Sequence, residues 1–392
     1  METGGAFYGP FSTVVFWLLV LILFHLLDFI YCRVLLHQAS QIRGFLMALP
    51  WLVFLGAGFS HLLRVWNFEL RSWGSLDFFM KSWVAIVAGV SFCLLMRQAL
   101  WFFFWRQPVN FRLTRHEKVR PPLHPPMRFL EKIGIRNQIY DLSLLEYDLE
   151  LPGWPPEWSG LTLAHLSDVH HSRYIHDAYL AHVHQAVTAW RADMILFTGD
   201  FIGGGEDVPH AFHWLRGLKA EMGVWAVLGN HEGWTDPINA AKGLRAAGIG
   251  LLMNQAVLFH RSGSTLALLG ADDLWTGGKD DSALVHAASH ADAKILLAHQ
   301  PDHFSLAKKL KAQLQLSGHC HGGQICLPGG IPLVAPSRFG VRYAGGFYRE
   351  KSSVMFASRG IGAAPPLRTF CPPEVVKLRL LSPGKYKNPK QS

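Results

Sequence analysis

Two patterns of apolar positions divide the chain. Over roughly the first hundred residues apolar side chains follow one another with little interruption. From Ile139 onward they come in short runs and at helical spacing. Three apolar stretches stand out in the first part: Phe11 to Tyr31, Gly44 to Leu63, and Phe78 to Trp105. Each reaches the ~20 residues a spanning helix needs. The third does so only with Lys81 or Arg97 near an end, where a long side chain reaches the interface. Trp66, Trp73, Trp101 and Trp105 suit the aromatic belt of a bilayer. Residues 1–106 are therefore expected to form a membrane domain with about three transmembrane helices.

The start, Met-Glu, has no basic segment, and no small-residue cleavage site follows, so no removed signal peptide is expected. Asp28, with His25 three residues before it, is a functional candidate because ionisable groups are costly inside a span. A helix-end carboxylate near the interface explains it equally well. Residues 107–136 are basic and contain Pro108, Pro121, Pro122, Pro125 and Pro126. They read as an extended linker, either solvated or lying against anionic headgroups.

Beyond the linker the pattern predicts strands at 140–151, 161–166, 194–197, 224–228, 250–253, 256–260, 265–269, 294–298 and 313–316. Further sheet is expected around Phe347, Val354 and Val375. Helices are predicted over 178–190, 208–218, 237–247 and 282–289, with a short one after Asp302. Five of the strands end in a tight turn that carries Asp, Asn or His: at Asp168, Asp200, Asn230, His299 and His319. Open α/β sheets place ligands at such strand ends. Glycines beside Asp200, Asn230 and His319 permit tight turns and close backbone approach. Carboxylate, amide oxygen and imidazole together suit Mn, Fe, Zn or Co better than Ca.

Charge and cysteine change the picture little. The net charge is +9, with Lys and Arg crowded between Arg97 and Arg136. That bias puts the side after the third stretch in the cytoplasm and the N-terminus outside. The expectation is a multi-pass protein of the inner or plasma membrane with a cytoplasmic catalytic domain. No helix-turn-helix, zinc finger or RNA-binding signature appears, so nucleic acid is not an expected partner. Cys32, Cys93, Cys320, Cys326 and Cys371 are scattered and form no C-x-x-C, which argues against a disulfide framework or a thiolate metal site.

The ordered set Asp168-x-His170, Gly199-Asp200, Gly229-Asn230-His231, His299 and Gly318-His319-x-His321 resembles the calcineurin-like metallophosphoesterase superfamily. The stretches Ser317 to Gln324, Ser358-Arg-Gly-Ile-Gly362 and Pro373-Glu374 are similar to its bacterial membrane-associated branch. That branch includes proteins resembling phospholipid phosphoesterases and UDP-2,3-diacylglucosamine hydrolases. The resemblance implies an α/β metallophosphoesterase domain over 137–392, a β-sandwich of two mixed sheets flanked by helices. It also implies two divalent metal ions. One would be held by Asp168, His170, Asp200 and His321, the other by Asp200, Asn230, His299 and His319, with Asp200 as the bridge. Two such ions clamp a phosphoryl group and activate a water.

By the same resemblance His231 protonates the leaving oxygen or stabilises the transition state. Glu232, where relatives carry Asp, would orient His231 through its other ring nitrogen. Cys320, where relatives more often carry Thr, reads as a small packed side chain. His165, His213 and His286 read as core or half-buried residues. His171 is a candidate to face substrate. Arg173, Arg338 and Arg342 are candidates for a substrate phosphate, because the guanidinium fork matches phosphate oxygens. The segment Pro328 to Tyr348 mixes Gly, Pro, Arg and apolar residues and would cover the site and meet lipid.

The expected function is a membrane-anchored phosphoesterase that hydrolyses a phosphate ester or pyrophosphate bond in a lipid-linked substrate. The alternatives are a hydrolase of nucleotides or other soluble phosphodiesters, and a membrane receptor or scaffold that only binds.

Overall fold

The computed structural model describes residues 107–126, 128–203 and 210–384. The three apolar stretches, with Asp28, Cys32 and Cys93, lie outside the described residues. So does part of the helix expected over 208–218, whose described portion holds a 3-10 turn at His213–Leu215. Among the described residues no helix is long and apolar enough to cross a membrane.

In chain order the elements are β1 (Phe111–Val119), β2 (Leu142–Glu150), β3 (Thr162–Leu166), α1 (Asp177–Trp190), β4 (Met194–Thr198) and β5 (Val224–Val227). Then come α2 (Asn230–Thr235), α3 (Pro237–Ala246), β6 (Gly250–Leu251), β7 (Gln255–Arg261), β8 (Ser264–Gly270), α4 (Ser282–Ser289) and β9 (Ala293–Leu297). The chain continues through α5 (Phe304–Leu310), β10 (Leu314–Ser317), β11 (Cys326–Leu327), β12 (Ile331–Pro332), β13 (Gly346–Glu350), β14 (Ser353–Ala357) and β15 (Glu374–Leu381).

Two mixed sheets carry the fold. One has the order β1-β2-β15-β3-β4-β5-β6, the other β13-β14-β10-β9-β8-β7. Within the first, β3, β4, β5 and β6 are parallel neighbours. Within the second, β8, β9, β10 and β14 are. The sheets face each other across one apolar layer. Leu163, Met194, Leu196, Val376 and Leu378 meet Leu266, Leu268, Ile295, Leu297, Leu316 and Phe356 there. The other face of the first sheet presents Ala164, Leu166, Ile195 and Phe197. Strand residues alternate between these two cores, as the pleat requires. Helix α1 covers that outer face with Tyr179, Leu180, Val183 and Val187, which recur at helical spacing along one stripe.

The segment expected to be a linker departs from that reading. Its residues Phe111–Val119 form β1, which pairs antiparallel with β2 at the sheet edge. Nearly every β1 side chain is exposed, so no alternation signals the strand. It is held by the ladder, by Arg112 on Asp148 at 2.9 Å, and by Phe111 stacked on Phe347 at 4.6 Å. Charged side chains along an edge strand also discourage pairing with another chain.

Candidate dinuclear metal centre

Each candidate ligand sits just past the C-terminal end of a parallel strand. Asp168 and His170 follow β3, Asp200 follows β4, Asn230 follows β5, His299 follows β9, and His319 and His321 follow β10. The first sheet therefore supplies one half of the site and the second sheet the other. The turns are held in an unusual backbone state. Asp168, His170, Asp200, His319 and His321 all lie at left-handed φ, between 48° and 66°. A non-glycine residue pays for that conformation, and such outliers collect where the surroundings over-determine geometry for function.

The surroundings here are two close-packed loops. Gly318 approaches Asp168 so closely that an added Cβ would stand 2.1 Å from Asp168 Oδ2. Gly362 leaves no more room, since a Cβ there would stand 1.9 Å from Val169 O. The Ser358-Arg-Gly-Ile-Gly362 stretch thus braces the Asp168 turn. Ile361 N donates to Ser167 O and Gly362 N to Asp168 O. Pro373-Glu374 belongs to the same brace, because Glu374 accepts from Arg359 Nε at 2.7 Å.

Two clusters of ligand atoms result. Asp168, His170, Asp200 and His321 bring one atom each within 4.8 Å of one another, as do Asp200, His299 and His319. All are buried. Asp200 belongs to both, and one oxygen serves both. Its Oδ2 lies 3.7 Å from His170 Nε2 and 3.3 Å from His299 Nε2. Its Oδ1 accepts the His231 backbone N–H at 3.0 Å.

The second cluster requires a cation. His299 Nδ1 donates to Thr198 O at 2.7 Å, which leaves Nε2 as the bare nitrogen of the neutral ring. His319 Nε2 donates to Pro336 O at 2.7 Å, which leaves Nδ1 bare. These two bare nitrogens stand 3.1 Å apart, and Asn230 Oδ1 lies 3.0 Å from His299 Nε2. Four acceptors converge with no donor among them, an arrangement that a proton or a metal ion must neutralise. Backbone carbonyls on the far ring nitrogens also fix the tautomers that metal ligation needs. The donor set and its geometry fit a divalent ion.

Without metal, a proton fills that role. Burial opposes a charge on His299, but Asp200 and then Asp168 overcome it and hold the ring up to about 10. Burial favours the neutral acid at Asp200, yet His299, His170 and His231 hold it well below the carboxylate range. Metal must displace the His299 proton. We expect the Mn affinity of the full chain to rise about tenfold per pH unit between roughly pH 7 and 9, and more steeply below, where burial keeps Asp168 protonated up to about 7, with proton release on binding. Calorimetric titration in two buffers of different ionisation enthalpy measures both, and a pH-independent affinity would contradict it.

His170 and His321 face each other, Nε2 to Nε2, at 2.9 Å. Burial pushes His170 down to about 3, so its ring is neutral. Behind His321 lies a residue that no sequence signal marked. Arg368 is wholly buried, and its Nη2 lies 3.2 Å from His321 Nδ1. It donates to the carbonyls of Cys371, Arg359 and Gly362.

His231 belongs to neither cluster. Its ring lies beside them, 4.5 Å from the His170 ring and 5.4 Å from that of Trp234. Trp234 in turn stacks on Trp275 at 5.7 Å and 20°, and Trp275 stands edge-on to His319 at 4.6 Å. Both tryptophans are exposed. They form an apolar wall beside the two clusters, another feature that reading the sequence missed.

Glu232 does not orient His231. Its carboxylate is wholly buried and accepts three backbone N–H groups, from Asp200, Ile202 and Gly229, at 2.9–3.0 Å. It ties the β4 turn to the β5 turn. Removing a buried acceptor costs about 1–3 kcal/mol for each N–H left unpaired. Glu232→Ala should therefore lower Tm by several degrees or more, and Glu232→Gln, which keeps one carbonyl oxygen, by less. Thermal unfolding of the full chain checks this, and an unchanged Tm in Glu232→Ala would contradict it.

The candidate phosphate binders take other partners. His171 is buried with Nε2 3.3 Å from Asp177 Oδ1, so it turns towards α1. Arg173 lies over the Tyr174 ring. Arg338 pairs with Asp302 and lies over Phe339, and Arg342 lies by Tyr343. His165 is a core histidine, bonded to Thr198 and pushed by burial down to about 3. His213 and His286 are exposed rather than buried. Cys320 packs among Ala335, Ala344 and Val341, and burial pushes its thiol up, as a packed side chain should behave.

Comparison with known proteins agrees with this geometry. A sequence model of the calcineurin-like phosphoesterases matches residues 161–323, which span every candidate ligand. The metallophosphoesterase YkuE of Bacillus subtilis, itself uncharacterised, is 32% identical over 58% of this chain and 82% of its own length. The phosphodiesterase YaeI of Escherichia coli is 30% identical over 55% of this chain and 80% of its own. The UDP-2,3-diacylglucosamine pyrophosphatase LpxG of Chlamydia muridarum is 25% identical over 61% of this chain and 89% of its own. The chain belongs to the calcineurin-like metallophosphoesterase family and is a metal-dependent phosphoester hydrolase.

Proposed function

We propose that this chain is a membrane-anchored dinuclear phosphoesterase that hydrolyses a phosphate ester or pyrophosphate bond in a lipid-linked substrate. The observation that carries the dinuclear reading is the single oxygen, Asp200 Oδ2, shared by two buried clusters. Asp168, His170, Asp200 and His321 would hold one divalent ion, and Asp200, Asn230, His299 and His319 the other. Bound there, two such ions supply a clamp on the phosphoryl group and a nucleophile at neutral pH.

The chain's own residues do the rest. Thr198 O and Pro336 O keep the His299 and His319 rings in the tautomers that face inward. Asp200 Oδ1 anchors the His231 backbone, which holds that ring next to both clusters but outside them. His231 is then placed to give a proton to the leaving oxygen.

Three things favour a lipid-linked substrate. The first hundred residues read as membrane-spanning. LpxG, a relative over most of its length, is named for a diacylated sugar nucleotide. The exposed Trp234–Trp275 pair offers an apolar wall for an acyl chain. A nucleobase also stacks on such a pair, so a nucleotide hydrolase is the second reading. A complete Asp/His set argues against a scaffold that only binds. By the bias of Lys and Arg, the catalytic domain would face the cytoplasm.

The test is Mn-dependent hydrolysis by the purified full chain. A glycerophospholipid, UDP-2,3-diacylglucosamine, a nucleotide and an aryl phosphodiester would each be offered beside an Asp200→Asn control. Cleavage of one lipid substrate by the unaltered chain alone is the expected result. Cleavage of the nucleotide in preference to both lipids would overturn the substrate reading.

A further inference from the structure

Two loops that touch the candidate ligands present no exposed charge. The first, Ile325 to Ser337, contains no charged residue at all. It begins four residues after His321 and includes Pro336, whose carbonyl accepts from His319. The second, 360–371, has Arg368 as its sole charged residue, and that residue is wholly buried behind His321.

The loops form one surface. Cys326 N donates to Thr369 O at 3.0 Å, and Thr369 N donates to Gln324 O at 3.1 Å. Gln324 Nε2 donates to Pro365 O at 2.8 Å. Among the described residues strands β11 and β12 form a two-stranded sheet of their own, bridged to the second loop at Ile325 and Thr369. Ile325, Leu327, Ile331, Leu333 and Phe370 are between 41% and 57% exposed. Ala364 and Pro365 are exposed beside them. Soluble surfaces seldom gather this many apolar side chains without a purpose.

The chemistry selects the occupant. These five side chains are few beside the roughly 20–30 residues that each partner gives a standard protein interface. A bilayer needs no matched partner surface, and a shallow apolar tip is enough to enter its headgroup boundary.

We infer that the β11–β12 hairpin and the 360–371 loop insert into a phospholipid bilayer and dock the catalytic domain there, beside its metal centre. This rests on the proposed reading that the chain works at a membrane. Docking brings the lipid surface to two loops that each contact a candidate ligand. A substrate in the bilayer then has a short path to the clusters.

Site-directed spin labelling tests it in the full chain, with Cys32 and Cys93 replaced by serine and the buried Cys320, Cys326 and Cys371 kept. The chain would be reconstituted in vesicles of phosphatidylethanolamine and phosphatidylglycerol. Nitroxides would be placed at Leu327→Cys and Ile331→Cys, with exposed Lys219→Cys as control. We expect oxygen to relax the hairpin labels more than a soluble nickel chelate does, and the reverse at the control. Equal access of the chelate to hairpin and control labels would overturn the inference. So would dipolar broadening between hairpin labels, which would mean a second copy covers the patch. A chain that fails to float with vesicles overturns the membrane reading itself. Label depth is read without turnover, so absence of hydrolysis leaves this test intact. Ile331→Glu should slow hydrolysis of a vesicle-borne phosphoester several-fold while leaving a soluble aryl phosphodiester unaffected, and equal effects on both would count against docking.

Discussion

Asp200→Asn is expected to remove bound metal and hydrolysis together while leaving the fold intact. The reason is in the direction of the new amide. The His231 backbone N–H points at Oδ1, so the amide oxygen must take that position and accept it. The NH₂ group then occupies the place of Oδ2, which faces both clusters. An amide nitrogen with two hydrogens cannot ligate, and both ions lose the anion they share. Metal content should fall from about two ions per chain to one or fewer, with aryl phosphodiester hydrolysis at background. Elemental analysis beside a rate assay reads both. Full metal and full turnover in this variant would end the assignment of Asp200 as the bridge. A further consequence concerns the metal-free protein. His299 owes its raised proton affinity mainly to Asp200, so its titration should move down in the variant.

His231→Ala should separate metal from turnover. The residue holds its place through its backbone N–H, which alanine retains. Its ring lies outside both clusters, so metal content should stay near that of the unaltered chain. Turnover of an alkyl phosphodiester should fall by ~10²-fold or more if the ring gives the leaving oxygen its proton. A nitrophenolate leaves without such help, so the loss on a nitrophenyl ester should be much smaller. Equal losses on both esters would point to transition-state stabilisation instead. Loss of metal would make His231 a structural part of the centre.

The candidate ligands were legible because each is a local event. An apolar run ends, and the next two or three residues carry Asp, Asn or His with a glycine beside them. Asp200, Asn230 and His319 follow that rule in full, Asp168 and His299 follow it without the glycine, and the strands before all five appear within a residue or two of the expected bounds. What binds these turns to each other is not local. Arg359 and Glu374 meet across fifteen residues. Glu232 was read as a partner for its neighbour in sequence, yet it serves three amides drawn from two strand turns. Arg368 carries no sequence mark, because nothing in Pro365-Pro366-Leu367-Arg368 shows that its guanidinium is buried behind His321. Strand β1 was hidden for another reason: its charged, exposed residues match a solvated tether, and the ladder to β2 alone makes it a strand. The Trp234–Trp275 stack joins a residue of helix α2 to one in the loop after β8, so their stacking is a product of the fold.

One measurement bears on the centre most directly. The full chain would be loaded with Mn, cleared of unbound metal, and examined by elemental analysis and electron paramagnetic resonance together. The account predicts about two Mn per chain with an exchange-coupled spectrum, as expected for ions ~3.5–4 Å apart that share a carboxylate oxygen. A single uncoupled Mn per chain, or none, would contradict it.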